Sequence, residues 1–247
     1  MLSLYIEFID MGRKSMSKTF YKVVLLAVLA SPMVPLSVAA EISVTGNAGI
    51  MSDYIFRGIP QDTGVANGGI DLEAGGFYLG TWIADVGEGI EQDFYTGYVM
   101  ELPAGLYLGA GFTSYQYSDD FDDEYNELNL YAGWANDTLS LDLEYTDGEY
   151  NGVFTELVGG QEVEKGDEYG FFAATLGYGG AYLTYGDFTD DADEALGNYL
   201  EFGYSLEVSG FEVTAAVVHT DADILQGEDD NDETEAYISI HHSFDLM

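Results

Sequence analysis

The chain has 247 residues, a formal net charge of −39 and no cysteine. This charge repels nucleic acid, and the lack of cysteine excludes a disulfide framework and thiolate metal sites. A content of 47% hydrophobic and 15% aromatic residues is too high for a disordered chain, so we expect one folded domain plus an export segment.

The first 40 residues have the layout of a cleavable secretory signal peptide. Basic residues precede an apolar run from Val23 to Ala30, and the small residues Val38-Ala39-Ala40 stand before Glu41. The run is shorter than the roughly 20 residues that span a bilayer, so it predicts a cleaved leader and no anchor. We expect cleavage between Ala40 and Glu41, a domain at 41–247, and a true start that is either Met1 or Met16.

Beyond the leader, short segments rich in Tyr, Phe, Val and Leu are separated by clusters of Gly, Asp and Asn. The segments 139–145 and 199–208 alternate strictly, with apolar residues on one face and Ser, Asp or Glu on the other. Similar runs predict about twelve strands. These are placed at 42–57, 69–75, 77–86, 92–102, 105–116, 125–135, 138–147, 167–178, 181–188, 197–208, 211–220 and 234–245.

The connections between these segments alternate between short and long. Very short ones, such as Gly75-Gly76 and Gly179-Gly180, alternate with long acidic ones at 118–124, 148–166, 190–194 and 227–233. Short periplasmic turns and long extracellular loops are typical of outer-membrane barrels, and closure satisfies every backbone group in hydrocarbon. The pattern therefore predicts an all-β, antiparallel, up-and-down transmembrane barrel. A soluble β-sandwich is the alternative.

Several segments resemble the TorF-type porin family of proteobacterial outer-membrane barrels. They read SDYIFRGIPQ at 52–61, GGID at 68–71, GGFYLGTW at 75–82 and EQDFYTGY at 91–98. The resemblance spans the chain after the leader and weakens in the acidic loops. It implies an outer-membrane barrel assigned as a porin, without a settled substrate and without a catalytic residue.

Strand parity assigns one face of each strand to the lumen. If Arg57 lies opposite Gly69, antiparallel pairing sets Asp53 beside Glu73 and makes Asp71 a diagonal neighbour of Arg57. Arg57 then either fixes the first loop among crowded carboxylates or contributes to selectivity. The other predicted lumen residues are Asp93, Glu101, Glu127, Asp142, Glu144, Glu201, Glu207, Glu212 and Glu235.

No lysine ladder opposes these carboxylates, because Arg57 and Lys165 are the only Arg and Lys residues after the leader. We therefore expect a porin-like channel for passive diffusion of small hydrophilic solutes or ions that favours cations. Two alternatives stay open. The lumen is filled by side chains, or the barrel is a non-conducting structural or adhesive protein whose acidic loops bind divalent cations and surface partners.

The sequence predicts no enzyme and no dedicated cofactor. His219 falls at the outer end of its predicted strand, far from His241 and His242 near the inner end of the next, and no serine stands in a Gly-x-Ser-x-Gly setting. Expected partners are outer-membrane lipid and lipopolysaccharide, the barrel assembly machinery, and small solutes or cations. Loosely bound Ca²⁺ or Mg²⁺ would link the loops to lipopolysaccharide phosphates. The weak candidates for this role are Asp119, Asp120, Asp122, Asp123, Asp229 and Asp230.

Overall fold

The computed structural model describes residues 42–87, 89–119, 121–158, 161–190, 197–221 and 233–247. The predicted leader and its predicted cleavage site between Ala40 and Glu41 lie outside these residues. Within the described part of the chain, no helix is long and apolar enough to cross a membrane. The twelve strands are β1 (Ile42–Phe56), β2 (Ile59–Ala74), β3 (Phe77–Asp85), β4 (Ile90–Glu101), β5 (Leu106–Tyr117), β6 (Tyr125–Ala135), β7 (Leu139–Val158), β8 (Gln161–Tyr178), β9 (Ala181–Asp190), β10 (Asn198–Val208), β11 (Phe211–Thr220) and β12 (Glu233–Asp245).

The strands form one closed barrel. Each strand pairs antiparallel with the next in sequence, and β1 pairs with β12 to close the ring. Ile50, for example, lies opposite Ile240 of β12 and Ala66 of β2. The predicted closed, twelve-stranded antiparallel barrel is thus confirmed.

The two faces of the barrel differ as period-2 alternation requires. On β10, Leu200, Phe202 and Tyr204 are exposed on the outer face, whereas Tyr199 and Gly203 are buried on the inner face. The side chains of Phe77, Phe211 and Phe244 are also exposed, near the end of the barrel that carries the short turns. An outward apolar surface with aromatic residues near one rim is what a bilayer would cover.

The second strand begins ten residues earlier than the sequence predicted. Arg57 and Gly58 form a tight turn with φ of 50° and 82°, and both values suit a two-residue hairpin. β2 therefore starts at Ile59, and Asn47 rather than Arg57 lies opposite Gly69. The predicted pairs are wrong, since Asp53 lies opposite Thr63 and Glu73 lies opposite Ser43.

The long loop predicted at 148–166 is also wrong. β7 continues to Val158 and β8 begins at Gln161, so the two strands extend their own ladder past the point where β6 and β9 stop pairing with them. The glycines and acidic residues in this segment had indicated a loop, but a ladder between two adjacent strands tolerates them when the strands continue an existing hairpin.

Candidate functional site

Part of the β1–β2 hairpin leaves the barrel wall. β12 last pairs with β1 at Met51, and β3 last pairs with β2 at Asn67. In the described structure, residues 52–66 pair only within β1 and β2 and with no neighbouring wall strand, and we call this segment the inward hairpin. At its base, the Ile238 N–H donates to the Ser52 hydroxyl at 2.9 Å, which satisfies a backbone donor where the ladder ends.

The inward hairpin contacts walls on both sides of the lumen. On one side, the Tyr54 ring packs edge-on against Trp82 of β3 at 5.6 Å between centroids. On the other side, the Gly58 carbonyl accepts a 3.0 Å hydrogen bond from Thr220 of β11. Ile55 and Ile59 pack against a buried aromatic cluster that includes Phe171 of β8 and Tyr199 of β10. The hairpin therefore crosses the lumen and does not project from its rim.

Arg57 at the hairpin tip is bonded to the far wall. Its guanidinium donates to both carboxylate oxygens of Glu127 on β6, with Nη2 to Oε2 at 3.1 Å, and to Glu144 Oε1 on β7 at 2.9 Å. The flat face of the guanidinium lies 4.2 Å from the Phe171 ring centroid. β7 stands six places from β1 in a ring of twelve, so the ion pair joins opposite sides of the barrel.

Glu127 is fully enclosed and fully hydrogen-bonded. Its side chain has 0% exposure, against 9% for Arg57. In addition to Arg57, its carboxylate accepts hydrogen bonds from Tyr115 at 3.1 Å, Tyr169 at 2.6 Å and Asn129 at 3.0 Å. A buried carboxylate is tolerated when its oxygens are matched in this way. The predicted neighbour of Arg57 was Asp71, and the structure corrects this to Glu127 and Glu144.

Asp71, Asp142 and Glu201 face the lumen and are held by tyrosine hydroxyls. Tyr95 donates to Asp71, Tyr107 donates to Asp142, and both Tyr182 and Tyr237 donate to Glu201 at 2.6 and 2.8 Å. Asn47 adds a 3.1 Å hydrogen bond to Asp71. These three carboxylates thus point into the lumen with fixed orientations, and their described hydrogen-bond partners carry no positive charge.

The tyrosine rings lie flat because glycines stand beneath them. A Cβ built on Gly203 would overlap the Tyr182 ring, and one built on Gly133 would overlap the Tyr107 ring. Bare backbone therefore gives each ring a place against the wall. A cavity of about 400 Å³ lies next to the hairpin tip. It is lined by Phe56, Arg57, Thr113, Tyr115, Asn129, Tyr131, Glu144, Phe171, Ala173, Thr175, Thr184 and Tyr199.

The remaining predicted lumen residues fall at two levels. Glu73, Glu101, Glu207 and Glu212 are exposed near the short turns, and Glu207 lies directly opposite Glu212. At the other end, Asp93 of β4 is buried and Glu235 of β12 is half-buried. Asp53 lies on the inward hairpin itself and not on the wall. The predicted carboxylates therefore do not form one cluster.

Asn67 and Glu91 are among the buried polar residues that sequence reasoning missed. Both lie just outside the predicted strands, because β2 was started at 69 and β4 at 92. The inward parity of Asp93 would have found Glu91 if the strand had been extended by one residue toward Gly89.

Three of the six loop candidates for divalent cations have described hydrogen bonds, and the other three lie outside the described residues. Asp122 accepts hydrogen bonds from Tyr125 at 2.6 Å and Tyr150 at 2.8 Å, and Asp119 accepts one from Ser118 at 3.2 Å. Asp123 donates its backbone N–H to Asp122 at 2.8 Å. Among the described residues, no group of three or more His, Cys, Asp or Glu side chains could hold a metal ion. Asp120, Asp229 and Asp230 lie outside the described residues.

The chain is similar to known proteins both in sequence, through a family model, and in fold, through solved structures. A family model described as "Bacterial protein of unknown function (Gcw_chp)" matches residues 37–244. Among solved structures, the KdgM porin aligns with a TM-score of 0.51 at 11% identity, covering 81% of this chain and 99% of the porin. The NanC porin aligns with a TM-score of 0.52 at 10% identity, covering 83% and 100%. At such identities the likeness concerns the fold.

No protein of curated function matches the sequence. The TorF-type resemblance stays a prediction.

Proposed function

This chain belongs to the Gcw_chp family of bacterial proteins of unknown function, and we propose that it is a cation-favouring outer-membrane channel whose lumen the inward hairpin narrows. In this proposal small hydrophilic solutes or ions diffuse passively, and no covalent chemistry takes place. The closed barrel and the fold shared with the KdgM and NanC porins support the location and the channel class, and the predicted leader agrees with them.

One observation carries the charge preference. Arg57 is the only Arg or Lys whose side chain the structure describes, and Glu127 and Glu144 already bind it. Asp71, Asp142 and Glu201 are bonded to hydroxyl and amide donors, which leave their negative charge uncompensated. Fixed carboxylates around an aqueous lumen with low-dielectric walls attract cations and repel anions.

Planar-bilayer recordings of the purified chain in a KCl gradient test this proposal. We expect single-channel steps and a reversal potential of the sign that K⁺ preference gives. The preference should fall as the salt rises, since the Debye length shrinks from about 10 Å at 0.1 M to about 3 Å at 1 M. Anion preference would refute the charge argument.

A matched set of variants localises the selectivity. Asp71→Asn, Asp142→Asn and Glu201→Gln combined remove three lumen charges with little change of shape, and we expect them to reduce cation preference. Glu149→Gln is the control, because this residue is exposed on the outer face of β7. An equal effect of the control variant would show that surface charge, and not the lumen, sets the preference.

The non-conducting structural or adhesive barrel is the second candidate, and the inward hairpin is the observation that favours it. The hairpin contacts β3 and β11 and is anchored to β6 and β7, so it occupies much of the lumen at that level. A closed barrel, shown by faster gel migration before boiling, that gives no conductance steps would support this second function over the first.

A further inference from the structure

A buried polar cluster lies beneath the base of the inward hairpin. Asn67 of β2 lies directly opposite Ala84 of β3, and Ala84 lies directly opposite Glu91 of β4. Asp93 follows Glu91 on the same face of β4 and lies opposite Trp82. Directly opposed residues point to the same side of a sheet, so Asn67, Glu91 and Asp93 all point inward. We call these three residues the β2–β4 cluster.

The small side chain between them brings the two outer strands into reach. Neighbouring strands lie about 4.8 Å apart, which places the Asn67 and Glu91 backbones roughly 10 Å from each other across Ala84. The Ala84 methyl group fills little of that gap, so a group bound over it can be reached by the longer Asn67 and Glu91 side chains from either side. The Glu91 and Asp93 backbones are about 7 Å apart along β4.

The cluster is sealed from solvent, and four of its polar atoms lack hydrogen-bond partners among the described residues. Exposure is 9% for Asn67, 1% for Glu91 and 7% for Asp93. Both amide atoms of Asn67, Oε2 of Glu91 and Oδ1 of Asp93 have no hydrogen-bond partner among the described residues. The other Glu91 oxygen, Oε1, accepts a 3.1 Å hydrogen bond from Tyr54.

An arrangement of this kind is costly without a bound group. Each unsatisfied buried polar atom costs about 1–3 kcal/mol, and an ionised carboxylate costs more. Two neighbouring carboxylates also repel each other, and the one described Arg side chain is bound to Glu127 and Glu144 instead. The cluster therefore lacks a positive charge and presents oxygen atoms to whatever supplies one.

We propose that the β2–β4 cluster binds one divalent cation, Ca²⁺ or Mg²⁺, through the free oxygens of Glu91, Asp93 and Asn67. Hard divalent cations prefer carboxylate and amide oxygens, and they complete their coordination with water. Two carboxylates balance a charge of +2, so the site needs no third acidic residue. The site uses none of the loop aspartates as ligands and does not depend on the proposed channel activity.

The same geometry links the cation to the inward hairpin. Tyr54 belongs to the hairpin, donates to Glu91 and packs with Val65, Ala84 and Val86 in a buried apolar cluster. Tyr54 thus covers the cation site from the lumen side. A bound cation fixes Glu91, and Glu91 in turn holds the Tyr54 hydroxyl, so removal of the cation should loosen the hairpin base.

Terbium luminescence tests the site on the full chain in detergent. Tb³⁺ replaces Ca²⁺ at oxygen sites and emits when a nearby indole is excited at the red edge of tryptophan absorption. The chain has two tryptophans, and Trp82 is the one directly opposite Asp93. We expect emission that Ca²⁺ or Mg²⁺ suppresses by competition, that Trp82→Phe abolishes, and that Trp134→Phe leaves unchanged.

Isosteric variants assign the ligands. Glu91→Gln with Asp93→Asn should remove the emission, whereas Asp71→Asn, a lumen carboxylate held by Tyr95, should preserve it. Gel migration before and after boiling verifies that each variant forms the barrel. In the wild-type protein, EDTA should lower the unfolding temperature and excess Ca²⁺ should restore it. Lack of emission from folded wild-type protein, or emission that persists in the Glu91/Asp93 variant, would overturn the proposal.

Discussion

Arg57 and Glu127 form a two-point ion pair across the lumen, although 70 positions separate them in the sequence. The pair joins the tip of the inward hairpin to β6, and Glu144 extends it to β7. Both side chains are nearly inaccessible to solvent. If one of them is removed, water therefore cannot solvate the charge of the other. The pair therefore determines where the hairpin tip sits.

Arg57→Met should destabilise the barrel by about 3–5 kcal/mol, since it leaves Glu127 buried and unpaired. Thermal unfolding in detergent, followed by gel migration, measures the change. Arg57→Met combined with Glu127→Gln removes both charges, and we expect this double variant to recover much of the loss. Additive losses in the double variant would mean that the two residues are not coupled.

The tyrosines around Glu201 should contribute to stability through their hydroxyls. Tyr182→Phe and Tyr237→Phe each remove one donor to a carboxylate, and each should cost about 1.5–3 kcal/mol. Tyr204→Phe is the matched control, because Tyr204 is 51% exposed on the outer face of the same sheet region. Equal unfolding temperatures for all three variants would contradict the role assigned to the hydroxyls.

Gly203→Ala should destabilise the barrel by about 1–3 kcal/mol, because the new methyl group overlaps the Tyr182 ring. A double-mutant cycle checks the cause. In a Tyr182→Ala background the ring is absent, and the same Gly203→Ala change should have a much smaller effect on the unfolding temperature. A cost that is unchanged in that background would point to backbone effects of the glycine instead.

The barrel itself could be predicted from local pattern. Each wall strand has one face toward the lumen and one face outward, so a segment such as 139–145 displays its alternation without any long-range information. The short turns at 75–76 and 179–180 contain glycines with positive φ, a local preference that sequence also reveals. For these reasons the strand count and the closed antiparallel fold were predicted correctly.

The inward hairpin could not be predicted in the same way. Pro60, Gly64 and Asn67 are typical of a loop, so the sequence pattern predicts that β2 starts after them. Tyr54 follows Asp53, a predicted lumen residue, so alternation predicts that Tyr54 faces outward; it is buried inside because the whole hairpin folds away from the wall. Only contacts distant in sequence, such as Arg57 with Glu127, fix that position. Strand parity assumes that a strand stays in the wall.

Shortening the inward hairpin should enlarge the channel. Met51 and Val65 are directly paired, so residues 52–64 can be replaced by an Asn-Gly turn without altering the pairs of β1 with β12 or of β2 with β3. Glu127→Gln is included so that no unpaired charge stays buried, and Glu127→Gln alone is the control. We expect a closed barrel with a higher single-channel conductance than both the wild type and the control, because the segment that crosses the lumen is gone. Equal conductance in a correctly folded variant would show that the narrowest part of the pathway lies elsewhere, among the residues that line the wall.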